Sequence, residues 1–354
     1  MTRISSPSPP PGAVRRRRRT ATLFAAALSV LALAGCGLWE PVDTSQIEKA
    51  AVDPDARVIR FAHQYDPAHP VETCGAATLR TELADDGFTV DSYPSGQIGG
   101  EGETTEQIAT GGLELGVVGP SFLGIWYDEA AVLDAPFLFT DVEQFDEATN
   151  GPIMDQVYED MAAETGLRVN STWYYGTRHI TANKEISTPE DLAGLKIRTP
   201  DAPLYITSFA IMNGSATPMA LSEAYLGLQQ GAIDAQENPI PTIDVQKFYE
   251  VQEYLNLTGH MVQAVNIVSS ERFVESLTPE EKVGFEDAME KARVATRDCI
   301  VEAEQETLQR WEDEDVITVN DEVDVAAFQA LIAEEFPSKV AWGDLYLEIQ
   351  ESVR

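Results

Sequence analysis

The chain has 354 residues, enough for about two domains of ordinary size, and its 44% hydrophobic and 23% charged content is that of a globular protein. That composition excludes disorder throughout, collagen and a multi-pass membrane protein. The charge is less ordinary: 24 Lys+Arg against 59 Asp+Glu leave a net −35, which repels nucleic-acid phosphates and anionic lipids and suits a protein facing an outside medium whose salt screens the self-repulsion.

The first 35 residues read as an address rather than a fold. Residues 15–19 are all arginine, and an apolar stretch over 21–34 follows them. Fourteen residues are too few to span a bilayer, which needs about 20. A basic run, a short apolar run and small residues together make a secretory signal. The stretch ends Leu33-Ala34-Gly35-Cys36, which resembles the bacterial lipobox, where the cysteine is lipidated and becomes the new N-terminus. Ordinary cleavage near Ala34 is the alternative. Losing residues 1–35 removes six arginines and no acid, which takes the net charge from −35 to −41. Residues 36–56 are polar and acidic, with Pro41 and Pro54, and form a tether.

Residues 57–62 alternate as a strand. Residues 70–86 suit a helix with Ala76, Leu79 and Leu83 on one face. A strand at 88–93, a turn from Pro94 to Gly100, a helix over 103–109 stopped by Gly111 and Gly112, and a strand at 113–118 follow. After Gly166 a second set begins with strands at 167–173 and 179–182. Ser187, Thr188 and Pro189 open a helix as cap and first turn. A strand at 195–198 ends at Pro200. Helices occupy 204–212 and 222–230, the second closed by Gly231, and a short strand follows at 232–237. Residues 278–310 form a long acidic helix. Strands alternating with helices argue for parallel βαβ units. Two α/β lobes with the chain crossing between them are the economical arrangement, and a cleft between lobes is a preferred ligand site.

Motifs for chemistry are scarce. His63, His69, His179 and His260 do not stand at zinc-binding spacing, and no Cys-x-x-Cys, P-loop lysine or dinucleotide-binding glycine pattern is present. The stretch from Gly119 to Leu123 lacks the second glycine of a nucleophile elbow. The acidic run 312–315 reads as a solvated loop rather than a calcium site, because it lacks the alternating ligands and glycine. This scarcity does not exclude an enzyme, but it moves the weight toward a binding protein, with no cofactor, metal or catalytic residue assigned. With Cys36 spoken for, Cys74 and Cys299 either pair outside the cytoplasm or stay as two buried thiols, and spacing alone does not decide.

Six segments stand in order over about residues 57–310. They are Phe61-Ala62-His63 with His69-Pro70; Tyr93-Pro94-Ser95-Gly96-Gln97-Ile98-Gly99 leading to Gly112-Leu113-Glu114-Leu115; Ala135-Pro136-Phe137-Leu138-Phe139; Gly176-Thr177-Arg178 with Thr181-Ala182-Asn183-Lys184; Asp191-Leu192-Ala193-Gly194-Leu195-Lys196-Ile197-Arg198; and Thr217-Pro218-Met219-Ala220-Leu221-Ser222-Glu223-Ala224-Tyr225, running on to Asp234-Ala235-Gln236-Glu237-Asn238-Pro239. Together they resemble the DctP-like solute-binding protein of TRAP (tripartite ATP-independent periplasmic) transporters. The resemblance implies an α/β, two-lobed periplasmic-binding-protein-like fold (type II, Venus flytrap) with a long C-terminal bridging helix. Lobe I would take 57–176 plus about 264–303, and lobe II 177–263 plus about 304–354. It implies an extracytoplasmic receptor, not an enzyme, that closes on a small carboxylate, an organic acid or related zwitterion. The receptor would be a monomer, held at the membrane by its lipid, delivering to the small and large subunits of an ion-gradient-driven permease and binding no nucleic acid. An ABC-type binding protein and a secreted α/β enzyme acting on a carboxylate are the alternatives.

The same resemblance assigns Arg198 as the arginine that pairs with the substrate carboxylate, Arg178 as a second arginine of the site, and Asn238 as a contact to the same end of the ligand. The residues agree. Arg198 follows a predicted strand, where parallel sheets present ligand contacts, and a guanidinium fork matches a carboxylate in two parallel hydrogen bonds. Each also has a plainer reading: a salt bridge for Arg198, an orienting role for Arg178, a turn before Pro239 for Asn238. Gln64 follows the first strand and would meet the ligand there. Phe122 either walls the pocket or packs in the core, and Leu221 would supply a small apolar wall. Trp173, Tyr174 and Tyr175 either stack on a ring or fill the core. Asp201 either receives a ligand amine or hydroxyl or caps the helix that follows it, and the cap is the favoured reading.

Overall fold

The computed structural model describes residues 56–354; the leader, Cys36 and nearly all of the tether lie outside the described residues. In chain order the strands are β1 (Arg57–Ala62), β2 (Phe88–Tyr93), β3 (Leu115–Val118), β4 (Leu167–Ala182), β5 (Lys196–Thr199), β6 (Ser215–Pro218), β7 (Ala235–Pro239), β8 (Tyr254–Ser270) and β9 (Thr318–Asn320). They form one sheet in the order β2-β1-β3-β8-β4-β7-β5-β6, with β9 against β8. At one end β1 lies parallel between β2 and β3, with helices Ala77–Asp85 and Glu101–Ala109 as crossovers. At the other, β5 lies parallel between β6 and β7, with helices Pro203–Ile211 and Leu221–Gln229. These are the βαβ units that the alternation of strand and helix patterns predicts.

The long antiparallel pair β4 and β8 joins the two ends. β3 attaches to β8 at residues such as Val268, and β7 attaches to β4 at residues such as Arg178. The sequence pattern suggests two separate strands at 167–173 and 179–182, whereas the structure has one. The β4–β8 register shifts three times, between Val169 and Ser171, Tyr174 and Gly176, and Arg178 and Ile180. Such bulges bend a strand without ending it. Gly176 sits at φ 121°, and a Cβ there would come within 2.6 Å of the Pro239 side chain. Only glycine lets β4 turn against β7 at that point.

Smaller departures have local causes. The helix over 70–86 starts as a wide π-type turn (Val71–Ala76) before the α-helix Ala77–Asp85. The helix expected after Ser187 is a single 3-10 turn, Pro189–Leu192, capped reciprocally by Thr188 and Asp191 and ended where Gly194 takes φ 81°. The acidic run 312–315 is not a loop. Its first three residues close the long helix Pro279–Glu314, and Asp315 is the left-handed residue after it.

That helix has 36 residues, about 54 Å at 1.5 Å per residue. Thr278 and Glu281 cap each other's backbone N–H and Pro279 fills the first position. Its buried side chains reach three cores. Phe285, Met289 and Ala292 pack with β1 residues Ile59 and Phe61, Ile300 packs with Phe328 and Phe336, and Trp311 packs with Ile243 and Leu255. One helix thus braces the whole sheet.

Cys74 in the π-type turn is disulfide-bonded to Cys299 on the long helix, 225 residues away. Gly75 lets the turn lie flat, since a Cβ there would be 2.3 Å from the Trp173 ring and 2.7 Å from Thr296 Oγ1. A crosslink closing so long a loop contributes about 2–5 kcal/mol. Replacing both cysteines by serine is expected to lower the melting temperature by about 5–15 °C. A melt unchanged by the double substitution would contradict that contribution.

Candidate ligand-binding cavity

A cavity of about 670 Å³ lies where β1, β3, β5 and β7 end, and Arg198, Arg178, Asn238, Gln64, Phe122 and Leu221 all line it. The six come from both ends of the sheet and its middle: Gln64 and Phe122 follow β1 and β3, Arg178 is on the central β4, and Arg198, Leu221 and Asn238 belong to the β5–β7 end.

Arg198 lies within β5, its backbone between Thr217 and Gln236. The side chain is 3% exposed. Nε and Nη2 donate to the Met219 carbonyl at 3.0 and 2.7 Å, while Nη1 is buried without a partner. The plainer reading of this residue as an ordinary salt bridge does not match that geometry. Burial pulls its pKa down to about 10; the Glu237 carboxylate works against the fall and the Arg178 charge adds to it. The group stays cationic at neutral pH, desolvated and short of an anionic partner, a costly state.

Arg178 is different. Its guanidinium grips Glu237 through Nε and Nη2 (2.6 Å for Nη2 to Oε1), Nη2 also reaches the Glu237 carbonyl at 2.5 Å, and Nη1 donates to Gln263 Oε1 at 2.5 Å. The Tyr205 ring lies under it at 5.5 Å. Burial alone would raise the Glu237 pKa, but the Arg178 charge and hydrogen bonds from His260 and Arg178 hold it below the carboxylate range. Arg178 therefore has its counter-charge, and among the described residues Arg198 has none.

Asn238, one residue before the end of β7, lies beside His179 of β4 and donates to Gln236 Oε1 at 2.7 Å. Phe122, in the short helix Pro120–Leu123, lines the cavity and also packs on Ala202, Tyr205 and Met261, so wall and packing are one role. Leu221 opens its helix and is half-buried. Of the aromatic triplet only Tyr175 lines the cavity. Trp173 is core, and Tyr174 donates to Glu304 Oε2 at 2.8 Å. Glu304 also accepts the Thr177 N–H at 2.7 Å, and burial pushes its pKa up to about 7. Asp201 does not cap its helix: the cap position is Ala202, with no side-chain bond, and Asp201 stands exposed at the cavity edge.

Sequence reasoning misses the acids and tyrosines of the wall. Glu101 and Asp134 line the cavity, as do Tyr65, Tyr205 and Gln263. Asp134 leaves a trace in the sequence, a single acid inside the apolar run 130–139. Glu101 leaves none, because an acid in a helix's first turn is ordinary.

Comparison with known proteins places the fold and the cavity in context. The family model for bacterial extracellular solute-binding protein, family 7 (DctP), matches residues 76–341. The sialic acid-binding periplasmic protein SiaP of Vibrio cholerae serotype O1 is 32% identical over 224 residues, 63% of this chain and 70% of its own length. A TRAP periplasmic solute-binding protein of Actinobacillus succinogenes, solved with bound L-galactonate, superposes with a TM-score of 0.79 at 28% identity, covering 84% of this chain and 99% of its own. One from Ochrobacterium anthropi with bound L-fuconate gives 0.79 at 30% identity over 84% and 100%.

Proposed function

The chain belongs to the bacterial extracellular solute-binding protein family 7, the DctP family, and on that footing we propose that it closes on a small carboxylate which the Arg198 guanidinium reads. It is an extracytoplasmic receptor of a TRAP transporter and not an enzyme; the family match supports neither an ABC-type binding protein nor a secreted α/β enzyme acting on a carboxylate. The observation that carries the carboxylate reading is the buried Arg198 with an unpartnered Nη1 in a cavity. Arg178 and Asn238 support the same end, Arg178 chiefly by holding Glu237 and Gln263 in place. Gln64, Phe122 and Leu221 shape the rest.

The lobes we assign are 57–176 with about 264–303 and 177–263 with about 304–354. The bends of β4 near Gly176 and the brace of the long helix support a hinge there. We also assign residues 1–35 as a signal peptide, Cys36 as the lipid-bearing residue and 36–56 as the tether, for a monomeric receptor working with small and large membrane subunits. The mass of the mature N-terminus distinguishes lipidation from plain cleavage near Ala34.

Thermal-shift measurement with paired ligands tests the reading: a panel of small organic acids, each beside its neutral amide. At a hundredfold excess over Kd a ligand adds about 2.7 kcal/mol of stability, about 5–11 °C in melting temperature. At least one acid is expected to give such a shift while its amide gives none. Equal shifts from acid and amide, or none from any acid, would sink the proposal.

A further inference from the structure

The cavity has a second pole opposite in sign to Arg198. Asp134 is 1% exposed and lines the cavity; Oδ2 accepts from the Ser121 N–H and hydroxyl at 2.9 and 2.7 Å, while Oδ1 has no partner. Glu101 lines the same cavity and accepts the Gly119 N–H at 2.7 Å. A Cβ placed on Gly119 would lie 3.2 Å from Glu101 Oε1 and 3.8 Å from Asp134 Oδ2, so the two carboxylates flank a single residue. No Lys, Arg or His within ion-pair distance matches either acid among the described residues. One cavity thus holds an orphaned buried donor, Arg198 Nη1, and an orphaned buried acceptor, Asp134 Oδ1.

The charges decide what would satisfy both. Arg178 is matched by Glu237, which leaves Arg198 facing Glu101 and the buried Asp134, with the exposed Glu103 and Asp201 and Glu223 also lining the cavity. A simple carboxylate bound at Arg198 would add a further negative charge to this acid-lined cavity, where like charges repel. A dicarboxylate would press its second group onto two acids. A hydroxyl would donate one hydrogen bond and leave the charge excess unchanged. A protonated nitrogen would meet both acids and restore the balance.

We propose that Glu101 and Asp134 form a cation subsite, so that the preferred ligand is a zwitterion with its carboxylate at Arg198 and an ammonium or amidinium between the two acids. This rests on the Arg198 reading and extends it to the ligand's far end. Burial favours the neutral form of each acid, and a bound cation would favour the charged one. Burial pushes the Glu101 pKa up to about 7, with Asp134 adding to the rise and the Gly119 N–H, Gln64 and the Arg198 charge opposing it; burial likewise raises Asp134 to about 6.

The test is a set of carboxylates of three to eight carbons in matched groups, each with an amino acid or cyclic amidine, a hydroxy acid, a dicarboxylate and the plain acid, measured by thermal shift and calorimetry. The tightest binder is expected to be a zwitterion. Glu101→Gln is expected to weaken it at least tenfold relative to its matched plain acid, and Asp134→Asn to move the ratio the same way. A dicarboxylate or hydroxy acid as the tightest binder would overturn the cation subsite, and so would a zwitterion-to-acid ratio unchanged in both variants. Those results leave the carboxylate reading standing. A set in which no acid binds removes both.

Discussion

Replacing Arg198 with alanine is expected to weaken carboxylate binding by about 30- to 4,000-fold, the equivalent of 2–5 kcal/mol for truncating one partner of a buried charge pair. The magnitude follows from the environment. The guanidinium is almost wholly buried, and among the described residues its Nη1 has no acceptor and no acid forms an ion pair with it. A ligand carboxylate would supply both the missing acceptor and the missing charge. The variant is expected to stay folded, because it removes an unpaired buried cation and leaves only the Met219 carbonyl short of a donor. Arg198→Lys should fall between the two: a lysine keeps the charge but not the planar fork that holds Met219 and ligand together. Calorimetry giving an affinity within threefold of wild type for Arg198→Ala would remove the assignment.

Glu237→Gln is expected to cost about 3–5 kcal/mol of folding stability, the usual penalty for breaking a buried ion pair from one side, and to lower the melting temperature by the order of 10 °C. The carboxylate is fully buried and takes Arg178 through two nitrogens, with His260 Nε2 a further 3.3 Å contact. An amide cannot offset the Arg178 charge. The carboxylate also helps keep Arg198 cationic, so binding should weaken along with stability. Replacing Arg178 and Glu237 together by apolar residues of similar volume should recover most of the stability, since no charge is then stranded. A Glu237→Gln protein that melts with wild type would show that the pair is not the support described here.

Much of the β5–β7 end can be read from the chain. Helix Pro203–Ile211 and helix Leu221–Gln229 begin and end within a residue of their sequence signals, because a proline, a left-handed glycine at Gly231 and continuous apolar spacing mark them locally. Arg198 is legible chiefly through the family resemblance, since its place at the end of the 195–198 strand pattern before Pro200 fits an ordinary salt bridge as well as a ligand contact. The partner of Arg178 is harder to see. Glu237 lies 59 residues away, and the pairing exists only through the β4–β7 register. The length of β4 is hidden too, because a strand bulged at Gly176 and a strand broken there carry the same local pattern. Glu101 and Asp134 become a pair only when the β1–β3 end folds around Gly119, a contact that no spacing along the chain announces.

The most direct measurement is a crystal structure with the acid that gives the largest thermal shift. The ligand's carboxylate is expected within about 3 Å of Arg198 Nη1, inside the cavity walled by Tyr175, Phe122 and Asn238. A ligand whose carboxylate lies elsewhere, with Nη1 still unpartnered, would contradict it.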